Sequence, residues 1–180
     1  PIQELAISSI MKHKDVMAAA QTGTGKTACF TLPILEILSN QRENGNHHEL
    51  NALIVTPTRE LASQVHDNIK SYGKYLSLKS IAIYGGVSDV NQKQSINNGI
   101  DIMVATPGRL LDLYHQKAID FSKIKILVLD EADQMLDMGF INDIKKIDKY
   151  LPKKRQNLMF TATFSDPFRS LVKRFSNDPI

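Results

Sequence analysis

The sequence predicts an α/β domain: a mainly parallel β-sheet with helices on both faces. Short apolar, β-branched runs recur along the chain, segments of helical period lie between them, and a glycine-rich loop joins the first run to a helix. Strands are expected at about Asp15–Ala20, Ala52–Thr56, Ser80–Tyr84, Asp101–Ala105, Ile124–Asp130 and Gln156–Thr161. Runs this short and this continuously apolar suit strands buried on both faces, as the strands of parallel sheets are.

Each helix has its own signal. Ile2, Leu5, Ala6, Ser9 and Ile10 follow the i, i+3, i+4, i+7, i+8 spacing of an opening amphipathic helix. Thr27–Leu38, Arg59–Tyr72 and Ile141–Leu151 are the clearest later helices, and in the second Leu61, Val65, Ile69 and Tyr72 share one face. Repeated strand–helix–strand units call for right-handed crossovers. The polar stretch from Asn40 to Glu49 reads as a surface loop, and its His47-His48 pair lacks zinc spacing. With no internal repeat, low-complexity tract or boundary, residues 1–180 are expected to form one domain.

Composition narrows the class. At 180 residues, 42% hydrophobic and 23% charged, the chain is long enough for a sizeable core and too apolar for disorder. No run reaches the ~18 apolar residues of a membrane span, and no signal sequence opens the chain. A cytoplasmic protein with no membrane association is the expectation. The single cysteine, Cys29, precludes an internal disulfide and reads as a packing residue. A net charge of +3 permits polyanion binding without demanding it, and Lys145-Lys146 and Lys153-Lys154-Arg155 read as solvated faces.

Two motifs carry chemistry. Ala20-Gln21-Thr22-Gly23-Thr24-Gly25-Lys26-Thr27 places glycines before Lys-Thr at a strand-to-helix junction. Gly23 and Gly25 permit left-handed turns, so that successive N–H groups converge on phosphate oxygens. Lys26 then supplies a point charge for the β- and γ-phosphates, and the Thr27 hydroxyl a ligand for Mg²⁺. Ala20 stands where the general pattern has glycine, and read alone the segment is also compatible with a glycine-rich helix cap. The second motif, Asp130-Glu131-Ala132-Asp133, follows an apolar strand and emerges at its carboxyl end, where ligands of such sheets sit. Two acids there can divide hydrolysis, one holding the metal's water shell and the other polarising the attacking water. The alternative is an acidic first helical turn favoured by the dipole.

With these motifs stand Pro57-Thr58-Arg59-Glu60-Leu61-Ala62, Gly85-Gly86, Thr106-Pro107-Gly108-Arg109 and Thr161-Ala162-Thr163. In this order they resemble the first RecA-like domain of DEAD-box ATP-dependent RNA helicases over essentially the whole chain. The runs VATPGRLLDL, VLDEAD with MLDMGF, and LPKKRQNLMFTATFSD are most similar to the bacterial RhlE type. The resemblance implies a RecA-like P-loop fold whose second RecA-like domain lies outside this chain, and whose cofactors are ATP and Mg²⁺.

It also implies roles. Gln3 reads adenine; residues Ala20 to Thr27 hold the phosphates; Thr27 and Asp130 hold Mg²⁺, partly through water; and Lys26, Asp130 and Glu131 are catalytic, with Glu131 activating the water. Asp133 is expected to bond the hydroxyls of Thr161 and Thr163, coupling the nucleotide site to RNA. Thr58, Arg59, Gly86, Thr106, Gly108 and Arg109 are expected to grip one RNA strand by its backbone, without sequence preference. Unaided by the resemblance, those segments are ordinary turns and caps. Two departures stand out: Thr161 replaces the family's usual serine, and the chain opens at Pro1-Ile2-Gln3, inside the adenine segment, without its upstream aromatic residue.

The isolated domain is expected to be monomeric and nearly inactive, since these helicases supply the arginine finger from the second domain. Three rival functions share part of this pattern. A DNA translocase would share the cradle, a small-molecule kinase would need an acceptor pocket and lid, and a non-catalytic RNA-binding module would be expected to lack Lys26 or Glu131.

Overall fold

The computed structural model describes residues 2–21, 23–42, 47–176 and 179–180. In chain order the elements are α1 (Ile2–Met11), β1 (Val16–Ala19), α2 (Lys26–Arg42), β2 (Ala52–Val55), α3 (Arg59–Tyr72), β3 (Ser80–Ile83) and α4 (Asp89–Asn97). They continue with β4 (Ile102–Ala105), α5 (Pro107–His115), β5 (Ile126–Leu129), α6 (Ala132–Asp137), α7 (Ile141–Tyr150), β6 (Gln156–Thr161) and α8 (Asp166–Phe175).

All neighbouring strands pair in parallel, in a 6-stranded sheet of order β1-β6-β5-β2-β4-β3. The expected strands and the α/β class are realised. Because strand side chains alternate, one sequence run feeds two cores. Ala52, Ile54, Val104, Val128 and Phe160 face the layer of α1, α2 and α3, while Leu53, Val55, Met103, Leu129 and Met159 face α5 to α8. Phe30 of α2 packs on Phe160 of β6 with ring centroids 5.1 Å apart, the aromatic centre of the first layer.

Four local expectations change. Leu5, expected on the apolar face of α1, is 75% exposed, and that face rests on Ala6 and Ile10. Tyr72 ends α3 with 46% exposure, so only Ala62, Val65 and Ile69 of that helix are buried. The polar stretch after Asn40 is not all loop: α2 continues to Arg42, and His48 Nδ1 lies 2.7 Å from Asp101 Oδ2, with Arg42 Nη1 3.3 Å from the same oxygen. Lys153 and Lys154 are solvated, but the Arg155 side chain is only 4% exposed and is ion-paired to Asp148. Among the described residues no helix is long and apolar enough to cross a membrane.

Candidate functional site

Every motif segment follows the carboxyl end of a strand. The strand order sorts them into neighbouring triplets: β1, β6 and β5 carry the glycine-rich loop, Thr161–Thr163 and the acidic motif, while β2, β4 and β3 carry the Thr58, Thr106 and Gly86 segments.

On the first side, Ala20 N–H donates to Thr161 O at 2.9 Å, extending the β1–β6 ladder by one residue before the chain turns. Gly23 and Gly25 have φ of +86° and +75°, conformations that tolerate no β-carbon cheaply. A β-carbon on Gly25 would also lie 2.1 Å from Nε2 of Gln3, which donates to the Gly25 carbonyl at 3.3 Å. Gln3 thus reaches from α1 onto the loop. Thr24 Oγ1 donates to Gln21 O at 2.8 Å, tying the turn to itself. Thr22 lies outside the described residues, as does Pro1. Cys29, one turn into α2, is buried, with its thiol on the Gly25 carbonyl; burial pushes that thiol up.

Lys26 opens α2 and points inward, only 7% exposed. Its ammonium lies 3.0 Å from Asp130 Oδ1 and 3.7 Å from Glu131 Oε1. Asp130 is anchored by its N–H to Val55 O and is 2% exposed. Its Oδ1 is close enough to Lys26 for an ion pair but has no aligned hydrogen bond, leaving a buried, under-satisfied oxygen. Burial holds the Asp130 carboxyl above the usual carboxylate range, and the nearby ammonium opposes this without cancelling it. Glu131 is raised for the same first reason. Its backbone is left-handed, φ 53° and ψ 51°, uncommon for a residue with a side chain and costly by ~1–2 kcal/mol.

A cleft of about 310 Å³ opens between this cluster and α3, lined by Gly23, Lys26, Thr27 and Glu131 and, from α3, by Gln64, Asn68 and Tyr72. Those α3 residues were not legible as site residues, because helical spacing assigned their helix only to packing. Magnesium fits this donor set. Asp130 offers a hard oxygen lacking a hydrogen bond, Thr27 follows directly on Lys26, and among the described residues no larger His, Cys, Asp or Glu cluster competes for a metal.

The expected Asp133 contacts are half realised. Asp133 Oδ2 accepts from Ala162 N at 3.3 Å and from Thr163 Oγ1 at 3.5 Å. The Thr161 hydroxyl turns away and donates to Thr163 O at 2.9 Å, so it shapes the loop rather than meeting Asp133.

The second side is chemically different. Thr58 caps α3, its Oγ1 accepting from Leu61 N at 3.2 Å. Arg59 lies over the Tyr84 ring, 5.2 Å from its centroid, and a β-carbon on Gly86 would stand 3.0 Å from Arg59 Nη1. Gly86 has φ +80°, Gly108 faces open space, and Thr106 precedes α5 without a side-chain cap bond. Arg109 departs from expectation. Its guanidinium pairs with Asp89 and Asp112, and its Nε donates to Gln92 Oε1 at 3.1 Å, leaving the side chain 14% exposed. Lys93 and Arg109 together hold the Asp89 carboxyl below the usual range. Gln92, 4% exposed, also donates to Tyr84 O at 3.2 Å, joining the Gly85-Gly86 turn to α5. Asp112 lies one turn on in α5, at a spacing the sequence shows, but Asp89 and Gln92 come from α4, and no spacing in the sequence announces them.

Comparison with known proteins agrees with this geometry. Residues 1–171 match the DEAD/DEAH box helicase family. The chain is 46% identical over its whole length to the DEAD-box ATP-dependent RNA helicase RhpA of Helicobacter pylori, spanning 35% of that protein. It is 42% identical over 99% of its length to CshA of Streptococcus pneumoniae, a DEAD-box ATP-dependent RNA helicase of which it spans 33%. The crystal structure of a DEAD box protein from Methanococcus jannaschii superposes with a TM-score of 0.92 at 38% identity, covering 99% of this chain and 48% of that one. The chain thus spans about a third of the length of these curated relatives, and it belongs to the DEAD/DEAH box helicase family.

Proposed function

We propose that this chain is the ATP-binding RecA-like domain of an ATP-dependent RNA helicase, which couples ATP hydrolysis to RNA unwinding or remodelling together with a second RecA-like domain. The observation that carries the reading is the buried Lys26 ammonium held between Asp130 and Glu131 beside two positive-φ glycines. A cation in that position can leave its carboxylates for phosphate oxygens at little electrostatic cost, and the positive φ of Gly23 and Gly25 suits a loop whose N–H groups converge on a phosphate.

Gln3 selects adenine, its amide offering both a donor and an acceptor. Thr27 and Asp130 would hold magnesium, which when bound supplies charge neutralisation at the phosphates. Glu131, raised by burial, orients or deprotonates the attacking water. Asp133 passes the state of this site to the Ala162–Thr163 loop. RNA is gripped through its backbone by Arg59, the exposed amides at Gly86 and Gly108, and the Thr106 hydroxyl. Within the family we favour the RhlE type, on the motif runs alone. The domain acts as a monomer, and its lone buried Cys29 suits the cytoplasm, a reducing compartment.

Calorimetric titration of Mg²⁺·ATP and Mg²⁺·GTP into the chain tests the nucleotide reading. ATP is expected to bind more tightly, and Gln3→Ala to narrow the gap; equal affinities in the unmodified chain would remove Gln3 from the site. Turnover by the isolated chain is expected to be slow, because an arginine finger contributes roughly 10³ to 10⁵ in rate. Stimulation of ATPase by RNA but not by DNA of the same sequence, once a second domain is attached, separates a helicase of RNA from a DNA translocase.

A further inference from the structure

We propose that the cavity at the amino edge of the sheet is a docking site for a short acidic peptide segment of a partner protein. This inference is independent of the nucleotide site, which lies at the opposite ends of the same strands. The cavity, about 550 Å³, sits where β5 and β6 begin and α2 ends, and its volume is in the range that holds a compact ligand. Its floor is aliphatic, made by Ile37, Leu38 and Ile124.

Lys123, Lys125 and Lys154 stand on its rim, all exposed, and none forms an ion pair among the described residues. The neighbouring Arg155 is already spent on Asp148 and the Pro152 carbonyl. Three unpaired cations around an apolar floor ask for an anion with an apolar body.

Gln156 supplies the second observation. It lines the cavity and is 7% exposed. Its Nε2 donates to Ile10 O at 3.1 Å and to Lys14 O at 2.7 Å, which fixes the orientation of the amide. Its Oε1 is then a buried acceptor with no partner. Buried amide oxygens are ordinarily satisfied, and an N–H donor from a bound chain would satisfy this one if the lining shifts on binding to uncover it. A peptide offers all three elements: an aliphatic side chain for the floor, a backbone N–H for Gln156, and Asp or Glu carboxylates for the lysines. RNA fits less well, because the lining has a single ring, the exposed His13, and its aliphatic floor gives unstacked bases no platform.

Selection of short random peptides displayed on phage against the 180-residue chain tests the proposal, the enriched peptides being synthesised and titrated by fluorescence anisotropy. The expected winners carry Asp or Glu around an aliphatic residue. Their affinity should fall by about tenfold or more when Lys123→Glu and Lys154→Glu are combined, as for reversed charges at an interface. It should be unchanged in Lys145→Glu with Lys146→Glu, which lie away from the cavity, and the Gln156 side-chain amide should shift in ¹H–¹⁵N spectra. Enrichment of non-acidic peptides, or of none, would overturn the proposal, as would equal loss in both double variants. Displacement of the peptide by a single-stranded RNA oligomer, with the same Gln156 shift, would assign the cavity to RNA instead.

Discussion

The two sides of the carboxyl edge handle charge in opposite ways. Beside β1, β6 and β5, Lys26, Asp130 and Glu131 are drawn together, burial works against the charge of the two carboxylates, Asp130 keeps an oxygen without a hydrogen bond, and Glu131 is held in a left-handed backbone. Beside β2, β4 and β3, the deeply set Arg109 is answered by Asp89, Asp112 and Gln92, while Gly85 and Gly108 face open space. The first arrangement is incomplete without a polyanion and a cation. The second is complete as it stands, and offers neutral backbone groups on a rigid frame. Under the proposed function, a site that releases its ligand after hydrolysis and a surface that holds any sequence would have different needs, and the local electrostatics differ in that sense.

That contrast is broken or sharpened by substitution. The largest expected effect is Lys26→Ala, which should weaken Mg²⁺·ATP binding by roughly 1.5–3 kcal/mol, the worth of a charge-assisted contact. Arg109→Ala should leave that affinity unchanged. Comparable losses in calorimetry would mean that the two sides are not separate.

Arg109→Ala acts instead on the fold. It strands the buried Gln92 Oε1 and loosens the link between the Gly85-Gly86 turn and α5, so urea denaturation should show a loss of about 1–2 kcal/mol. An unaltered midpoint would show that the network is only decorative.

The acidic pair sets a pH dependence. Asp130 and Glu131 titrate higher in the folded chain than in an unfolded one, so the folded state binds more protons between the ordinary carboxylate values near about 4 and the raised values. Stability therefore falls as pH rises through that window. Asp89 and Asp120, held low, lose their contributions only below it. Thermal melts across the window should show a shallower decline in Asp130→Asn, and an identical decline would remove Asp130 as its source.

The smallest effects concern salt. Single-stranded RNA binding loses about 0.7 in log K per log salt for each phosphate neutralised. With Arg109 countered internally, Arg59 is the main contributor, so a slope near that value is expected and Arg59→Ala should flatten it. Arg109→Ala should barely change it. Asp89→Asn combined with Asp112→Asn should steepen it by about another 0.7, by freeing Arg109. Anisotropy with two unrelated RNA oligomers checks each slope, and both oligomers should respond alike because backbone contacts carry no base information.

Legibility in the sequence followed the range of the interactions. Helix α3 was readable end to end, since Thr58 caps it locally and its buried stripe repeats with the helical period. Asp130 and Lys26 were readable because each motif is contiguous and each follows a strand. Tyr72 and Leu5 matched the helical period yet stand in solvent, because periodicity marks a face without revealing what covers it. The neutralisation of Arg109 was hidden, since Asp89 and Gln92 reach it from α4 only once the β3 and β4 crossovers are built. The same holds for Gln156, whose amide partners lie 146 and 142 residues away in the chain.

The most direct measurement is a ¹H–¹⁵N titration of the chain with Mg²⁺·ADP. The account predicts shifts concentrated at Gly23–Ala28, Asp130–Asp133 and Ala162–Thr163, with Gly85, Gly86 and Gly108 unmoved. Shifts centred on Gly86 and Gly108, or none at Gly25 and Lys26, would contradict it.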